Sequence, residues 1–216
     1  KYADHLPLHR QERILERHGV TLDRSTLCQW TAAVAEALTP VYTLLISLVK
    51  QSAVLHSDDT PLPVLDAAHE RATRQGHLWV YYGDRTRPYT VFDFTPNHSK
   101  AGPERFLQGF HGYLHVDAYA GYDGLFRADG PWEVACWAHA RRYFYDARTS
   151  DAARAAEALA RIRQLYAAEH AADQELARLP RPADPLAQWQ QEDAVRLRLR
   201  QEQSVPLLAA FREWLE

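Results

Sequence analysis

The pattern of hydrophobic and polar positions divides the chain into a helical beginning, a strand-rich middle and a helical end. Residues 1 to about 50 carry apolar side chains at helical spacing, and Gly19 is expected to end the first of three helices. Residues 54–137 contain short aromatic and β-branched runs, which are typical of strands. Residues 138–216 are rich in Ala and Arg and are predicted to form helices, with a break near Pro180.

The middle region predicts a definite order of elements. A helix is expected over 101–110, and strands are expected at 54–57, 77–82, 89–94, 113–116 and 132–137. The order is therefore strand, two-stranded hairpin, helix, strand, strand, helix. This order predicts an α/β fold in which helices flank a mixed sheet, and it matches the order of the RNase H-like fold.

Two of the expected strands end in the same way. Val54–Pro61 and Tyr113–Tyr119 each combine an apolar run with a His two residues before an Asp, namely Asp58 and Asp117. Because side chains alternate along a strand, each His shares a face with its Asp. If the strands are parallel neighbours, the two carboxylates lie side by side, about 4.8 Å apart. Thr60 and Pro61 predict a turn directly after the first of them.

Paired carboxylates of this kind are suited to metal-dependent chemistry. Two neighbouring carboxylates repel each other unless a cation lies between them, and their hard oxygen atoms favour Mg²⁺ or Mn²⁺. A pair of such ions, about 3.5–4 Å apart, activates the attacking oxygen and stabilises the leaving oxygen in phosphoryl transfer. The alternative is structural, because Asp at a strand end is also a common turn former or helix cap.

Composition narrows the possible classes of protein. The hydrophobic fraction is 46%, so a packed core is expected and disorder is not. The net charge is −3, so any basic surface for nucleic acid must be local. Cys28 and Cys136 are far apart in sequence, which fits a reducing cytosol better than a disulfide. No run is long and apolar enough to predict a membrane span, and the chain, which lacks Met, is expected to be a piece of a longer protein.

Several segments resemble the IS66 family of insertion-sequence transposases, and together they extend over nearly the whole chain. The two longest, which are the most specific, are Gly109–Asp123 and Cys136–Arg142. The shorter ones are Tyr2–Leu8, Arg24–Leu27, Leu55–Pro61 and Leu78–Tyr81.

This resemblance implies a DDE transposase with an RNase H-like catalytic domain. It divides the chain into an N-terminal helical segment (1–50), an incomplete catalytic core (51–150) and a C-terminal helical insertion (151–216). Asp58 and Asp117 would be the first two catalytic acids and the ligands of Mg²⁺ or Mn²⁺, with two ions in the complete enzyme.

The resemblance also implies that the third catalytic acid lies beyond the helical insertion, so that this segment alone lacks it. Glu213 and Glu216 are poor substitutes, because they belong to an amphipathic helix without a matching motif. Asp59 stands where the family usually has Glu, a mild departure from the pattern.

The partners implied by the family are DNA, both transposon ends and target, and further copies of the chain in an active homo-oligomer. Helper proteins of the same element are also implied, and the expected location is the bacterial cytoplasm, at the nucleoid during the reaction. Two alternatives stay open. One is a hydrolytic nuclease with an RNase H-like fold, and the other is a catalytically incomplete fragment that binds only DNA or partner subunits.

Some residues are expected to flank the aspartate pair. They are His56, Asp59, His115 and His139. Arg141 and Arg142 are candidates for contacts with the DNA backbone, and the alternative is the solvated basic face of a helix. Cys136 and His139 could form half of a zinc site, although no second pair is evident.

The N-terminal helices allow two interpretations. They could form a helix-turn-helix with Arg24–Trp30 as the reading helix, or a brace that packs on the catalytic domain. The region lacks the basic cluster of a reading helix, and Leu27 and Trp30 favour packing, so the brace is preferred.

Overall fold

The computed structural model describes residues 4–66 and 72–216, so Tyr2 and Ala3 of the first family-like segment lie outside the described residues. The chain forms two compact units, Lys1–Val134 and Ala135–Glu216. The first contains nearly all of a five-stranded mixed sheet with helices beside it, and the second is helical. The expected α/β class is confirmed, and the arrangement is consistent with the RNase H-like fold.

The sheet has the strand order β3-β2-β1-β4-β5. Its strands are β1 (Val54–Leu65), β2 (Thr73–Tyr82), β3 (Thr90–Thr95), β4 (Tyr113–Val116) and β5 (Trp132–Ala135). β1 is antiparallel to β2 and parallel to β4, and β2 is antiparallel to β3. The expected β2–β3 hairpin is therefore confirmed. The two Asp-bearing strands are parallel neighbours, which is the condition for side-by-side carboxylates.

The turn expected after Asp58 is wrong, because β1 continues to Leu65. Beyond the aspartate, β1 keeps its antiparallel pairing with β2 as far as Leu65, which lies opposite Thr73. β4 pairs with β1 only over Val54–His56. Pro61 has no N–H to donate, but this is tolerated where a strand edge lacks a partner.

Side-chain alternation in β1 and β4 builds the centre of the core. Leu55 and Leu114 are fully buried, and Ser57 is 5% exposed, whereas Asp58 is exposed. The same buried cluster contains Trp79 of β2, whose indole N–H donates to the Thr95 hydroxyl over 2.7 Å. The expected alternation of His and Asp with apolar side chains is confirmed.

The loop of the β2–β3 hairpin is organised by Asp84. Its carboxylate accepts hydrogen bonds from the backbone N–H of Ala53 at 2.6 Å and from that of Thr86 at 2.8 Å. Burial alone would raise the pKa of Asp84. Hydrogen bonds from Thr86 and from backbone N–H groups lower the pKa by more than burial raises it, so the net shift is downward. The preceding residue, Gly83, lies so close to the backbone of Arg87 that an added Cβ would be 2.2 Å from the Arg87 carbonyl oxygen. This position therefore requires glycine.

Three helices precede the sheet: α1 (Leu8–Arg17), α2 (Arg24–Ala37) and α3 (Thr39–Val49). Gly19 has a φ of +78°, which explains why α1 ends there as expected. The expected packing of Leu27 is confirmed, since it is 8% exposed, but that of Trp30 is wrong, since it is 54% exposed. Trp30 instead lines an open apolar groove on α1 and α2.

α3 is attached to the sheet. The Tyr42 hydroxyl donates to the backbone carbonyl of Phe92 over 2.8 Å, and Val49 at the end of α3 is fully buried in the core. Within the described ranges, no single helix is long and apolar enough to cross a membrane, although α2 and α3 pass that test together as a pair bent by 48°.

The remaining helices are α4 (Ala101–Leu107), between β3 and β4, and four in the second unit: α5 (Trp137–Asp146), α6 (Ala152–Leu176), α7 (Pro185–Leu199) and α8 (Val205–Leu215). The strand expected to reach Trp137 is shorter, because that residue already begins α5. A π-helical turn at Arg200–Ser204 carries α7 into α8. Pro206 lies in the first turn of α8, where its missing N–H leaves no hydrogen bond of that helix unmade.

Candidate metal centre

The two aspartates meet beyond the parallel part of the sheet. Asp58 lies two residues past His56, the last β1 residue that pairs with β4, and Asp117 lies two residues past the partner His115. The two carboxylates are therefore level, and oxygen atoms of the two groups lie within 4.8 Å of each other. Asp58 is exposed and Asp117 is half-buried, so the pair is accessible to solvent.

Local hydrogen bonds orient both carboxylates. The Oδ1 atom of Asp58 accepts from the backbone N–H of Asp59 at 2.9 Å. The Oδ1 atom of Asp117 accepts from the backbone N–H of Tyr119 at 3.2 Å, as in an Asx-turn. These bonds occupy one oxygen of each carboxylate, so the other oxygen atoms remain as candidate metal ligands.

Two core residues near the pair, Ser57 and Tyr122, were not expected from the sequence. The hydroxyl groups of Ser57 and Tyr122 share a hydrogen bond of 2.9 Å inside the core. Burial, together with the nearby charges of Asp117, Asp59 and Asp58, raises the pKa of Tyr122, so it stays protonated at neutral pH. The available signal was that Tyr122 belongs to the long family-like segment 109–123.

The two histidines of the matched strand ends are neighbours, as their pairing requires. The rings of His56 and His115 have centroids 4.7 Å apart and are inclined by 53°. Burial lowers the pKa of His56, so this ring is neutral at pH 7. A neutral imidazole next to the carboxylates can accept a proton or a hydrogen bond from a ligand.

Asp59 lies on the opposite face of β1 from Asp58, because consecutive side chains alternate. Its Oδ2 atom is 2.5 Å from Nδ1 of His77, and its Oδ1 atom is 3.1 Å from Nε2 of His98. Asp59 was expected beside the aspartate pair, whereas neither histidine was expected near it. His77 was counted as one residue of an aromatic strand, and His98 follows β3 in a loop without a strong pattern.

The other expected site residues belong to the second unit. His139 lies in the first turn of α5, and Arg141 and Arg142 follow in the same helix with exposed side chains. Their roles near the site and on DNA stay predictions. Cys28 and Cys136 are both free thiols.

A family model described as Transposase IS66 family matches residues 1–216 of this chain. The chain belongs to the IS66 family of transposases. The candidate metal ligands Asp58 and Asp117 therefore lie in two of the IS66-like segments, 55–61 and 109–123.

Three curated relatives of this IS66-family chain come from Sinorhizobium fredii (strain NBRC 101917 / NGR234). Uncharacterized protein y4jD is 39% identical over 68% of the chain, and y4qI is 36% identical over 72%. Uncharacterized protein y4hP is 30% identical over 100% of the chain. The chain spans 31% of the length of the first two relatives and 40% of the third. No solved structure matches the chain.

Proposed function

We propose that this chain is part of the catalytic domain of a DDE transposase, which cleaves DNA at insertion-sequence ends and transfers the strands to target DNA. The observation that carries the proposal is the approach of the Asp58 and Asp117 carboxylates to within 4.8 Å where the parallel strands β1 and β4 diverge. Membership of the IS66 family supports it. In open α/β sheets, such a position beyond strand ends is the usual place for a ligand.

The residues present fit a divalent ion. Two carboxylates supply hard oxygen ligands, and because Asp58 is exposed, water and a phosphate could reach an ion that they hold. A bound Mg²⁺ or Mn²⁺, two in the complete enzyme, would neutralise charge that develops on the phosphate. Asp58 and Asp117 would hold the metal, and neutral His56 would face the attacking water or hydroxyl together with His115.

DNA contacts are proposed for Arg141 and Arg142, because their exposed guanidinium groups suit phosphate oxygens. His139 is proposed to flank the site. We keep the division into an N-terminal segment, a core and a helical insertion, at residues 50 and 150, as part of the proposal. The proposal also includes assembly into a homo-oligomer, helper proteins of the same element, and action at the nucleoid of the bacterial cytoplasm. We assign no third acid within residues 1–216.

Calorimetric titration with Mn²⁺ tests the shared site. The wild-type chain should bind Mn²⁺, and Asp58→Ala and Asp117→Ala should each lose the same binding event. Asp129→Ala is the matched control, because Asp129 is an exposed aspartate of the same unit that precedes a glycine turn. Loss in both variants but not in the control supports the proposal. Retention in either variant refutes the shared site and leaves a binding-only role for the chain.

A strand-joining assay then separates a transposase from a hydrolytic nuclease. It uses the full-length protein, with a labelled 3′-hydroxyl end and a circular target. Joined product is expected for a transposase, whereas cleavage without joining would favour the nuclease.

A further inference from the structure

A second group of metal-ligating side chains lies on the other face of β1. It consists of Asp59 on β1, His77 on β2 and His98 in the loop between β3 and α4. One ligand atom from each lies within 4.8 Å of the other two. The Asp59 and His77 side chains are only 14% and 11% exposed, and that of His98 is 37% exposed. The group is thus a largely enclosed site with one open side.

The distances are close to those of a metal centre. In a tetrahedral zinc site with ligand bonds of about 2.0–2.1 Å, ligand atoms are about 3.3 Å apart. Without an ion, the Asp59 carboxylate is hydrogen-bonded to the two rings through different oxygen atoms, to His77 at 2.5 Å and to His98 at 3.1 Å. An ion would replace these hydrogen bonds, and the ligand atoms would move slightly apart to admit it. The two imidazole rings are stacked at 4.2 Å and nearly parallel, so they must tilt towards each other to share one ion.

Tyr119 anchors the backbone of His98 and packs on its ring, so the tilt is a rotation of the ring about its side-chain bonds. The ring of Tyr119 stacks on His98 at 4.0 Å, and its hydroxyl donates to the His98 backbone carbonyl over 2.9 Å. Such contacts around a ligand orient it and usually strengthen metal binding. They also restrict His98 to the side of the sheet that Asp59 faces, away from Asp58.

We propose that Asp59, His77 and His98 bind a late first-row transition-metal ion of the Zn²⁺ type, at a site distinct from the Asp58–Asp117 pair. Two imidazole nitrogens and one carboxylate prefer Zn²⁺ and its neighbours to Mg²⁺. Three protein ligands leave a fourth position for water or for a group of a bound molecule. The ion joins β1, β2 and the β3–α4 loop directly behind the aspartate pair.

The site can be tested with Co²⁺ and Zn²⁺ on the metal-free chain. Co²⁺ should give the visible absorption of a four-coordinate ion, and Zn²⁺ should abolish it with one equivalent. His98→Gln and Asp59→Asn should weaken Co²⁺ binding by more than about 100-fold, since even the loss of a residue that only supports a ligand weakens binding about 10–100-fold. His98→Gln is the main variant, because His98 is the most exposed ligand and its loss should not prevent folding.

Two controls separate this site from the proposed catalytic pair. Asp58→Asn should leave the Co²⁺ spectrum and affinity unchanged, and so should His111→Gln, which changes an exposed histidine of the same unit. An unchanged Co²⁺ affinity in folded His98→Gln, checked by circular dichroism, would overturn the proposal. So would loss of the Co²⁺ signal in Asp58→Asn, and so would a wild-type chain that binds neither ion. Because the proposed function is tested with Mn²⁺ in Asp58 and Asp117 variants, either proposal can fail alone.

Discussion

Neutralising one carboxylate of the aspartate pair should stabilise the metal-free protein. Asp58→Asn and Asp117→Asn keep the shape of the side chain and the Oδ1 acceptors that receive backbone N–H groups at 2.9 and 3.2 Å. Each variant removes only the charge, and with it the repulsion between oxygen atoms that lie within 4.8 Å of each other. The sequence at this site is therefore expected to favour ion binding over stability.

The size of the effect follows from the separation and the exposure. Two unit charges 4.8 Å apart, the upper limit of this separation, repel by about 0.9 kcal/mol at the dielectric constant of water, and by about 3.5 kcal/mol at an effective value of 20. Because Asp58 is exposed, the smaller value is the better guide, and about 1 kcal/mol should raise Tm by about 2–4 °C. The double variant should gain little beyond either single one, because the repulsion disappears with the first charge.

Thermal unfolding at low ionic strength with a chelator measures this difference, since salt screens exposed charges. Added Mn²⁺ should reverse the ranking, because an ion bound to both carboxylates stabilises only the wild-type chain. Asp129→Asn is the control and should match the wild type in both conditions. If both single variants melt with the wild type in chelator, and Mn²⁺ raises the Tm of all three equally, the carboxylates do not share a site.

Three further predictions concern stability. Asp84→Asn should lower the unfolding free energy by about 1–2 kcal/mol at pH 7 through its weakened bond to Ala53. The pKa of Asp84 is lower in the folded protein than in an ordinary Asp. The loss of unfolding free energy should therefore be complete at a pH above the ordinary pKa and should vanish as the pH falls through the folded pKa, as urea unfolding at a series of pH values would show. Glu169→Gln should remove a pair with Arg200 at 2.6 Å; with the Glu169 side chain 35% exposed, the expected loss is about 1 kcal/mol or less, smaller in high salt, by thermal unfolding. Leu114→Ala should lower the unfolding free energy by about 2–5 kcal/mol in the same urea assay, because the side chain is fully buried; a loss below 1 kcal/mol would contradict the assigned core.

The main strands could be predicted because their burial pattern is local. The alternation around Leu114 and His115 gives the bounds of β4 directly, and the hairpin follows from two aromatic runs joined by a Gly-Asp loop. The pairing of Asp58 with Asp117 also follows from the sequence, once two strands with the same ending are taken as parallel neighbours. In each case the signal lies within a few residues of the feature.

Features that depend on distant partners were missed. Thr60 and Pro61 predict a turn, but pairing with β2 keeps β1 extended. Trp30 is a large aromatic residue of the kind that usually packs in a core, yet it is exposed, because exposure depends on which surfaces the neighbouring helices cover. The histidines around Asp59 come from separate elements, 18 and 39 residues further along the chain, and only the folded sheet brings them together.

The extension of β1 beyond β4 also affects how the protein avoids unwanted self-association. An unpaired strand edge is a template on which another chain can add a strand and start aggregation. Among residues 4–66 and 72–216, no strand pairs with β1 on the β4 side from Asp58 to Leu65, and there Pro61 and Pro63 are two positions that cannot donate a hydrogen bond. The two prolines thus let the edge beside the aspartate pair stay open to a ligand while it resists β-strand addition by a second copy.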